Sequence, residues 1–303
     1  MKPPYDTWVS ETDGGLTEAE IDTAVSRIAS TCSGGKVLLI PPDQSRLYSG
    51  CGVLTAKLYA RLSESGVTCD VLPALGTHEP MTDAQLTQFF GSGIPRERFL
   101  RHDWRRDTVS LGAIPADEIA AITGGLMREP FPVEVNRMLL TGGYDRIVSL
   151  GQVVPHEVIG MSNYTKNILV GVGGSSMIGK SHLLGALYGA ERMMGRTDTP
   201  VRSVFDYAEE RFLSPLPLLY VMTVATEQDG RAAVHGIFAG RSREAFVAAA
   251  ALSKRKNIVF TEKPFRKCVV RLEPREFTST WIGNKAIYRT RMAMADGGEL
   301  IIL

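Results

Sequence analysis

The sequence predicts an α/β protein: an N-terminal parallel-sheet domain with helices on both faces over residues 1–200, and a second, smaller α/β unit over 201–303. Three observations carry this. Continuous apolar runs alternate with segments of helical spacing through the first two-thirds, and strands buried on both faces read that way in parallel sheets. From about residue 196 the character shifts to a polar connector followed by a hairpin signal. A chain of 303 residues is also too long for one small core and fits roughly two domains of about 150 residues.

Each element has a local reason. "KVLLIPP" (36–42) is a β-rich apolar run, and "VLTAKLYARLSESG" (53–66) has helical spacing and closes on Gly. "VTCDVLPALG" (67–76) is the second strand; "TDAQLTQFFG" (82–91) opens with a Thr-Asp cap and closes on Gly. "DTVSLGAI", "VEVNRMLL" and "DRIVSLGQVV" are strand-like, and "NILVGVGG" (167–174) is expected as a further strand before the helix "SHLLGALYGAERMMG" (181–195). "GRTDTPVRS" is expected as a connector and "VFDYAEERFL" as an amphipathic helix stopped by "SPLP". In "LLYVMTVATEQDGRAAVHGIFAG" a Gln-Asp-Gly turn separates two strand-like runs, which makes a hairpin. Helix "SREAFVAAAALSKRKN", strand "KCVVRLEP", helix "NKAIYRTRMAMA" and strand "GELIIL" come next. Because the chain stops inside an apolar run, the second unit is expected to be C-terminally truncated.

Composition removes several classes. Lys+Arg 34 against Asp+Glu 33 leaves +1 with no basic stripe, so a nucleic-acid partner is not expected. The run "SKRKN" (253–257) suits the C-terminal end of a helix, where cations favour the dipole. Cys32, Cys51, Cys69 and Cys268 share no CxxC spacing, which speaks against a zinc knuckle or a disulfide framework and for a reducing cytoplasm. "MKPPYDTWVS" has no apolar signal core, and "AFVAAAAL" (245–252) is too short to span a bilayer, so no membrane is expected as partner. Oligomeric state leaves no sequence signal.

In an open parallel sheet, ligands bind beyond the carboxyl ends of the strands. The polar residues after the expected strands are Asp43 and Arg46 in "PPDQSR", Thr77 and His78 in "GTHEP", and His156 in "VVPHEVIG". Lys166 precedes "NILVGVGG" and His182 opens a helix. Taken singly, each is more often a cap, a turn or a surface residue than a catalyst; their joint placement points to one site. Three imidazoles and an amine in a single empty cleft are further expected to capture adventitious metal or buffer anions. His102 and His235 are expected to be structural. A second reading comes from Gly174, Gly179, Lys180 and Ser181, which satisfy the phosphate-loop pattern G-x(4)-G-K-S and would make a nucleotide- or phosphate-binding enzyme. A third is a non-catalytic ligand-binding protein.

The segments "PPDQSR", "GTHEP", "HDW" and "VPHEVIGMSNYTKNILVGVGG", with His182 and, more weakly, "EPREFTSTWIGNKAIYRTRMAMADGGELIIL", carry a resemblance. The chain resembles the nickel-pincer-nucleotide-dependent lactate racemase family of 2-hydroxy-acid racemases and epimerases, over nearly its whole length. The intervals between His156, Lys166 and His182 agree with that family's spacing. The resemblance implies a pyridinium-thioamide pincer mononucleotide joined covalently to Lys166, nickel completed by His182, and His78 and His156 as the acid/base pair. It further implies Asp43 and Ser162 as cofactor contacts and Arg46 as the substrate-binding arginine. Its partners would be a small-molecule 2-hydroxy acid and the enzymes that make the cofactor, which a chain produced without them would lack.

The chain departs from the family in two places. Asn163, Tyr164 and Thr165 stand where the family shows Gly-Gly-Arg before the lysine. The family's Tyr-Gln-x-x-Lys substrate stretch is here Trp281, Ile282, Gly283, Asn284 and Lys285, of which only Lys285 survives. Lys285 and Trp281 are therefore expected in a reshaped substrate pocket, for lactate-like or longer acids, sugar acids included.

Overall fold

The computed structural model describes residues 3–32, 34–277 and 279–303; the side chain of Trp281, an expected substrate contact, lies outside the described part. Strand β1 (Asp6–Val9) leads to α1 (Glu18–Ser30), which opens on a capping box between Thr17 and Glu20. Strand β2 (Lys36–Ile40) ends at a Pro-Pro pair, and the side chain of Asp43 caps a short 3-10 turn, Gln44–Ser49. Helix α2 (Cys51–Glu64), β3 (Thr68–Val71) and α3 (Asp83–Phe90) come after it, α3 on a second capping box from Thr82 and Gln85. Next come β4 (Thr108–Ile114), α4 (Ala116–Ile122), β5 (Phe131–Asn136), α5 (Met138–Thr141) and β6 (Arg146–Gln152). The short strands β7 (Pro155–His156) and β8 (Gly160–Met161) pair with each other, and α6 (Ser175–Tyr188) and α7 (Pro200–Ala208) complete this stretch. The remainder comprises β9 (Leu218–Gln228), β10 (Arg231–Gly240), α8 (Arg243–Asn257), β11 (Phe265–Val270), α9 (Thr280–Gly283), α10 (Lys285–Thr290) and β12 (Met294–Ile302).

The central sheet has the order β1-β10-β9-β6-β2-β3. Strands β3, β2, β6 and β9 run parallel, with β10 and β1 added antiparallel at one edge. Alternate residues of the inner strands are buried in opposite cores. Val37, Leu39, Val148 and Leu150 pack with α1, α2 and α3, while Leu38, Ile40 and Ile147 pack with α6, α7 and α8. This is the expected mainly parallel sheet covered on both faces, and strands buried on both sides read as unbroken apolar runs for that reason. Strands β11 and β12 form a separate parallel pair beside α9 and α10, the second and smaller part of the chain. Among the described residues no helix is long and apolar enough to cross a membrane.

Several expectations change. Strands β9 and β10, expected in the second unit, belong to the central sheet, which therefore runs past residue 200; α6 and α7 make the crossover that lays β9 parallel to β6. Strands β4 and β5 stand outside the central sheet and pair with each other in an antiparallel ladder on the α6 side, where Val135 also bridges Gly173. The apolar "NILVGVGG" is no strand: Asn167–Gly171 forms a π-helical turn. A short, fully buried apolar run has no periodicity by which to tell strand from helix, and here the Asn167 side chain decides. Its Nδ2 donates to Ile40 O (3.0 Å), Ser149 Oγ (3.0 Å) and Leu150 O (3.1 Å), which binds the turn to the ends of β2 and β6. The expected connector 195–203 already contains the start of α7, capped by Thr199 with Pro200 in its first turn.

Candidate active site

From β2 the chain moves outward to β3 and later returns across β2 to β6, so the loops after β2 and β6 part and open a crevice at the carboxyl ends of the strands. A cleft of about 400 Å³ lies there. Asp43, Arg46, His78, His156, Ser162, Lys166 and His182 all line it, and α10 adds Lys285 from the C-terminal part of the chain.

Neighbouring groups set the state of each side chain. Asp43 is buried and its Oδ2 takes the Nδ1 of His78 at 2.5 Å, while Oδ1 accepts from Ser45 N and Oγ. Burial opposes ionisation of Asp43, but His78, Ser45 and Arg46 outweigh it and hold its carboxyl below the usual range. A carboxylate on Nδ1–H leaves Nε2 of His78 as the basic nitrogen. His156 is the opposite tautomer, because its Nδ1 accepts the backbone N–H of Val158 at 3.1 Å and Nε2 therefore carries the proton. Burial, with the cations Lys166, Arg46 and Lys285, pushes its pKa well down. His156 Nδ1 also lies 3.8 Å from the Glu157 carboxylate; the Val158 bond and the cationic surroundings make this a contact with a neutral ring. Burial works against ionisation of Glu157, yet His156 once it protonates in acid, the backbone N–H of Glu157 itself, Lys285 and Arg46 hold it down to about 2.

Both amines are depressed. Burial and then Arg46 bring Lys166 down to about 8, and Arg46 followed by burial brings Lys285 to about 7. Near neutrality each therefore exists partly as free amine, the nucleophilic form. His182 donates Nδ1–H to Ile178 O at 2.7 Å, which leaves the Nε2 lone pair free, and burial keeps the ring neutral by lowering its pKa.

A family model described as the lactate racemase N-terminal domain matches residues 19–195, more than half of the chain. The chain belongs to the lactate racemase family. No curated protein matches its sequence. A crystal structure of a protein from Thermotoga maritima is similar at 25% identity and TM-score 0.85, covering 96% of this chain and 72% of that one. The lactate racemase apoprotein from Thermoanaerobacterium thermosaccharolyticum shares the fold at 19% identity and TM-score 0.65, covering 93% of this chain and 66% of that one.

In this lactate racemase family member the cleft presents an amine and a neutral imidazole, the donor types that a pincer nucleotide and its nickel would need. Lys166 offers an amine and His182 a neutral nitrogen, while Asn163 Oδ1 is a buried acceptor with no hydrogen-bond partner among the described residues. Among the described residues no three His, Cys, Asp or Glu side chains gather into a metal site. The three imidazoles share the cleft without forming such a cluster. Ser162 lines the cleft, but its hydroxyl donates to Gln152 O (2.6 Å) and accepts Val154 N–H (3.0 Å), which ties it to the end of β6 and the link after it.

The phosphate-loop reading fails. Gly179, Lys180 and Ser181 lie inside α6, not at its start, and the first-turn amide of Ser176 already donates to the Glu134 carboxylate (3.2 Å). Lys180 is tied to Glu129 (3.1 Å) and Pro130 O (2.7 Å), so a phosphate would meet acid where it needs donors. His102 is buried between Gly173 O and Asn136, and His235 bonds Thr226 across the hairpin; neither lines the cleft. Sequence reasoning missed Glu157, Asn167 and Tyr288. Glu157, beside His156 in "PHE", was the one with a visible signal.

Proposed function

We propose that the cleft racemises or epimerises a 2-hydroxy acid through its planar 2-keto form, with a nickel-pincer nucleotide attached to Lys166. The convergence of His78, His156, Lys166 and His182 with Arg46 on one cleft is the observation that carries this reading. When bound, the nickel-pincer group supplies reversible hydride acceptance from the substrate Cα, chemistry that side chains lack. Lys166 would hold it covalently and His182 would complete its metal. Arg46 binds the substrate carboxylate and fixes its orientation. His78, oriented by Asp43, takes the hydroxyl proton at Nε2, and His156 donates Nε2–H to the same oxygen. For the mirror-image substrate the two would exchange roles only once the His156 proton moves to Nδ1, which gives up the bond from Val158 N–H.

A second cavity of about 290 Å³ shares Asp43, Ser45, Thr77, His78 and Ile282 with the first and adds Gln44, Gln85 and Glu276. Polar room next to His78 supports a substrate longer than lactate, sugar acids included.

The test is production together with the cofactor-making enzymes, followed by the mass of the Lys166 peptide, nickel content and chiral chromatography of lactate and longer 2-hydroxy acids. An adduct lost in Lys166→Ala, with interconversion of at least one acid, is the expected result. An unmodified peptide and no interconversion under those conditions would leave a non-catalytic ligand-binding protein instead.

A further inference from the structure

The segment before Lys166 has a backbone that its own residues do not favour. Asn163 and Tyr164 both take left-handed conformations, φ +64° and +56°, and for a bulky tyrosine that is an outlier which surrounding structure must impose. Arg202 on α7 supplies the constraint. It is fully buried, and its Nη1 donates to Thr165 Oγ1 (2.8 Å) while Nη2 donates to Met161 O (2.6 Å) and Asn163 O (3.3 Å). Its guanidinium also sits 4.3 Å from the ring centroid of Phe246, on which Tyr164 stacks.

Every one of those acceptors is neutral and lies within the five residues before Lys166. Burying a guanidinium on neutral acceptors, with Nε left unpaired, is an expensive way to fill a core position that an aliphatic residue would fill. The fan of donors is what an aliphatic residue cannot offer. Helix α7 is itself anchored to the same segment, since its cap residue Thr199 donates to Ile159 O (3.1 Å), and a Cβ on Gly160 would meet Arg196 O at 2.1 Å.

We propose that Arg202 is a positioning residue for Lys166, its guanidinium holding 161–165 in the shape that delivers the Lys166 amine into the cleft. Lys166 is faced by Arg46 and Asp43 from the turn after β2, by His156 and Glu157 after β6, by His182 from α6 and by Lys285 from α10; the Arg202 charge adds to the cations among them. The proposal rests on the reading of Lys166 as the attachment residue, yet its test needs no cofactor.

Lys166 in the cofactor-free protein is modified with trinitrobenzenesulfonate across a pH series, its labelling rate followed by peptide mass. The wild-type midpoint is expected near 8. Arg202→Lys keeps a cation but cannot span three acceptors, and Thr165→Val keeps Arg202 but removes one acceptor at nearly constant volume. Both are expected to move the midpoint up by about one unit or more, towards the ordinary lysine range, as the amine leaves its buried place. Folding is checked by circular dichroism, and Thr165→Val decides the matter if the arginine variant does not fold. A wild-type midpoint in the folded variants overturns the proposal and makes Arg202 a core residue only. Absence of an adduct on coexpression, with these midpoints shifted, would instead remove the racemase reading and leave the positioning role standing.

Discussion

Asp43 and His78 show what a single residue contributes beyond its presence. Asp43 comes after β2 and His78 after β3, so the rule that ligands sit beyond strand ends finds both, as it finds Arg46 and His156. Their tautomers were not legible, because these depend on the Asp43 carboxylate, Val158 N–H and Ile178 O, contacts that exist only after folding. Asp43→Asn is expected to remove the carboxylate that fixes the orientation and tautomer of His78 and to lower kcat about a hundredfold or more, with KM little changed; steady-state kinetics of the cofactor-loaded protein check it. The amines bear on stability. Lys285 at about 7 and Lys166 at about 8 lie below their unfolded value of about 10.4, so between these limits the unfolded chain binds more protons. These amines therefore make the stability of the cofactor-free protein rise with pH from neutrality to about 8.5, above which the thiols of Cys32, Cys51 and Cys69, pushed up by burial, act the other way. Melting curves at pH 6.5 to 8.5 should show an upward slope that flattens in Lys285→Met; an equal slope in that variant would exclude Lys285 as its source. Glu157, held down to about 2, acts in another window: its contribution is lost as pH falls from about 4 towards 2.

At the scale of elements, sequence served best where a pattern was local and worst where burial erased it. The β9–β10 hairpin is visible because Asp229 and Gly230 take the left-handed angles, φ +49° and +75°, that a tight hairpin turn requires. The stretch 167–174 reads as a strand because nothing in an apolar run discloses that Asn167 will find three acceptors at the ends of β2 and β6. Helix α7 reads in part as a connector because Arg202 looks like a solvated residue until the fold buries it. Asn167→Leu tests the pinning. It leaves the carbonyls of Ile40 and Leu150 without their side-chain donor inside the protein, an expected loss of about 2 kcal/mol. Urea unfolding should show a lower midpoint at unchanged slope, and a wild-type midpoint would mean that the apolar packing of Ile168 and Leu169 holds the turn unaided.

Over the whole molecule the layered α/β plan was legible from alternation alone, whereas the end of the main sheet was not, since strand adjacency is not a local property. With β9 and β10 in place, and α8 packed on both, the central sheet and its two cores are complete by Asn257. Among the described residues after Asn257, Ala286 is the one buried hydrophobic side chain. Val259 and Phe260 are 88% and 89% exposed, and β11–β12 is a two-stranded parallel pair, which on its own is not a stable unit. The rest of the chain touches this part through side chains, such as Arg275 with Tyr48 and Arg291 with Glu191. Yet it brings Lys285 to the cleft, so the loops of the sheet supply most of the lining while the C-terminal part completes the wall. Chymotrypsin at low ratio is accordingly expected to cut first after Phe260, leaving an N-terminal fragment that keeps a cooperative thermal transition. In that fragment the Lys166 labelling midpoint should fall no further than in the intact chain, and should rise if solvent replaces the lost wall. First cuts within 6–257, or a fragment without a cooperative transition, would mean that the sheet depends on the C-terminal part for its stability as well as for its cleft.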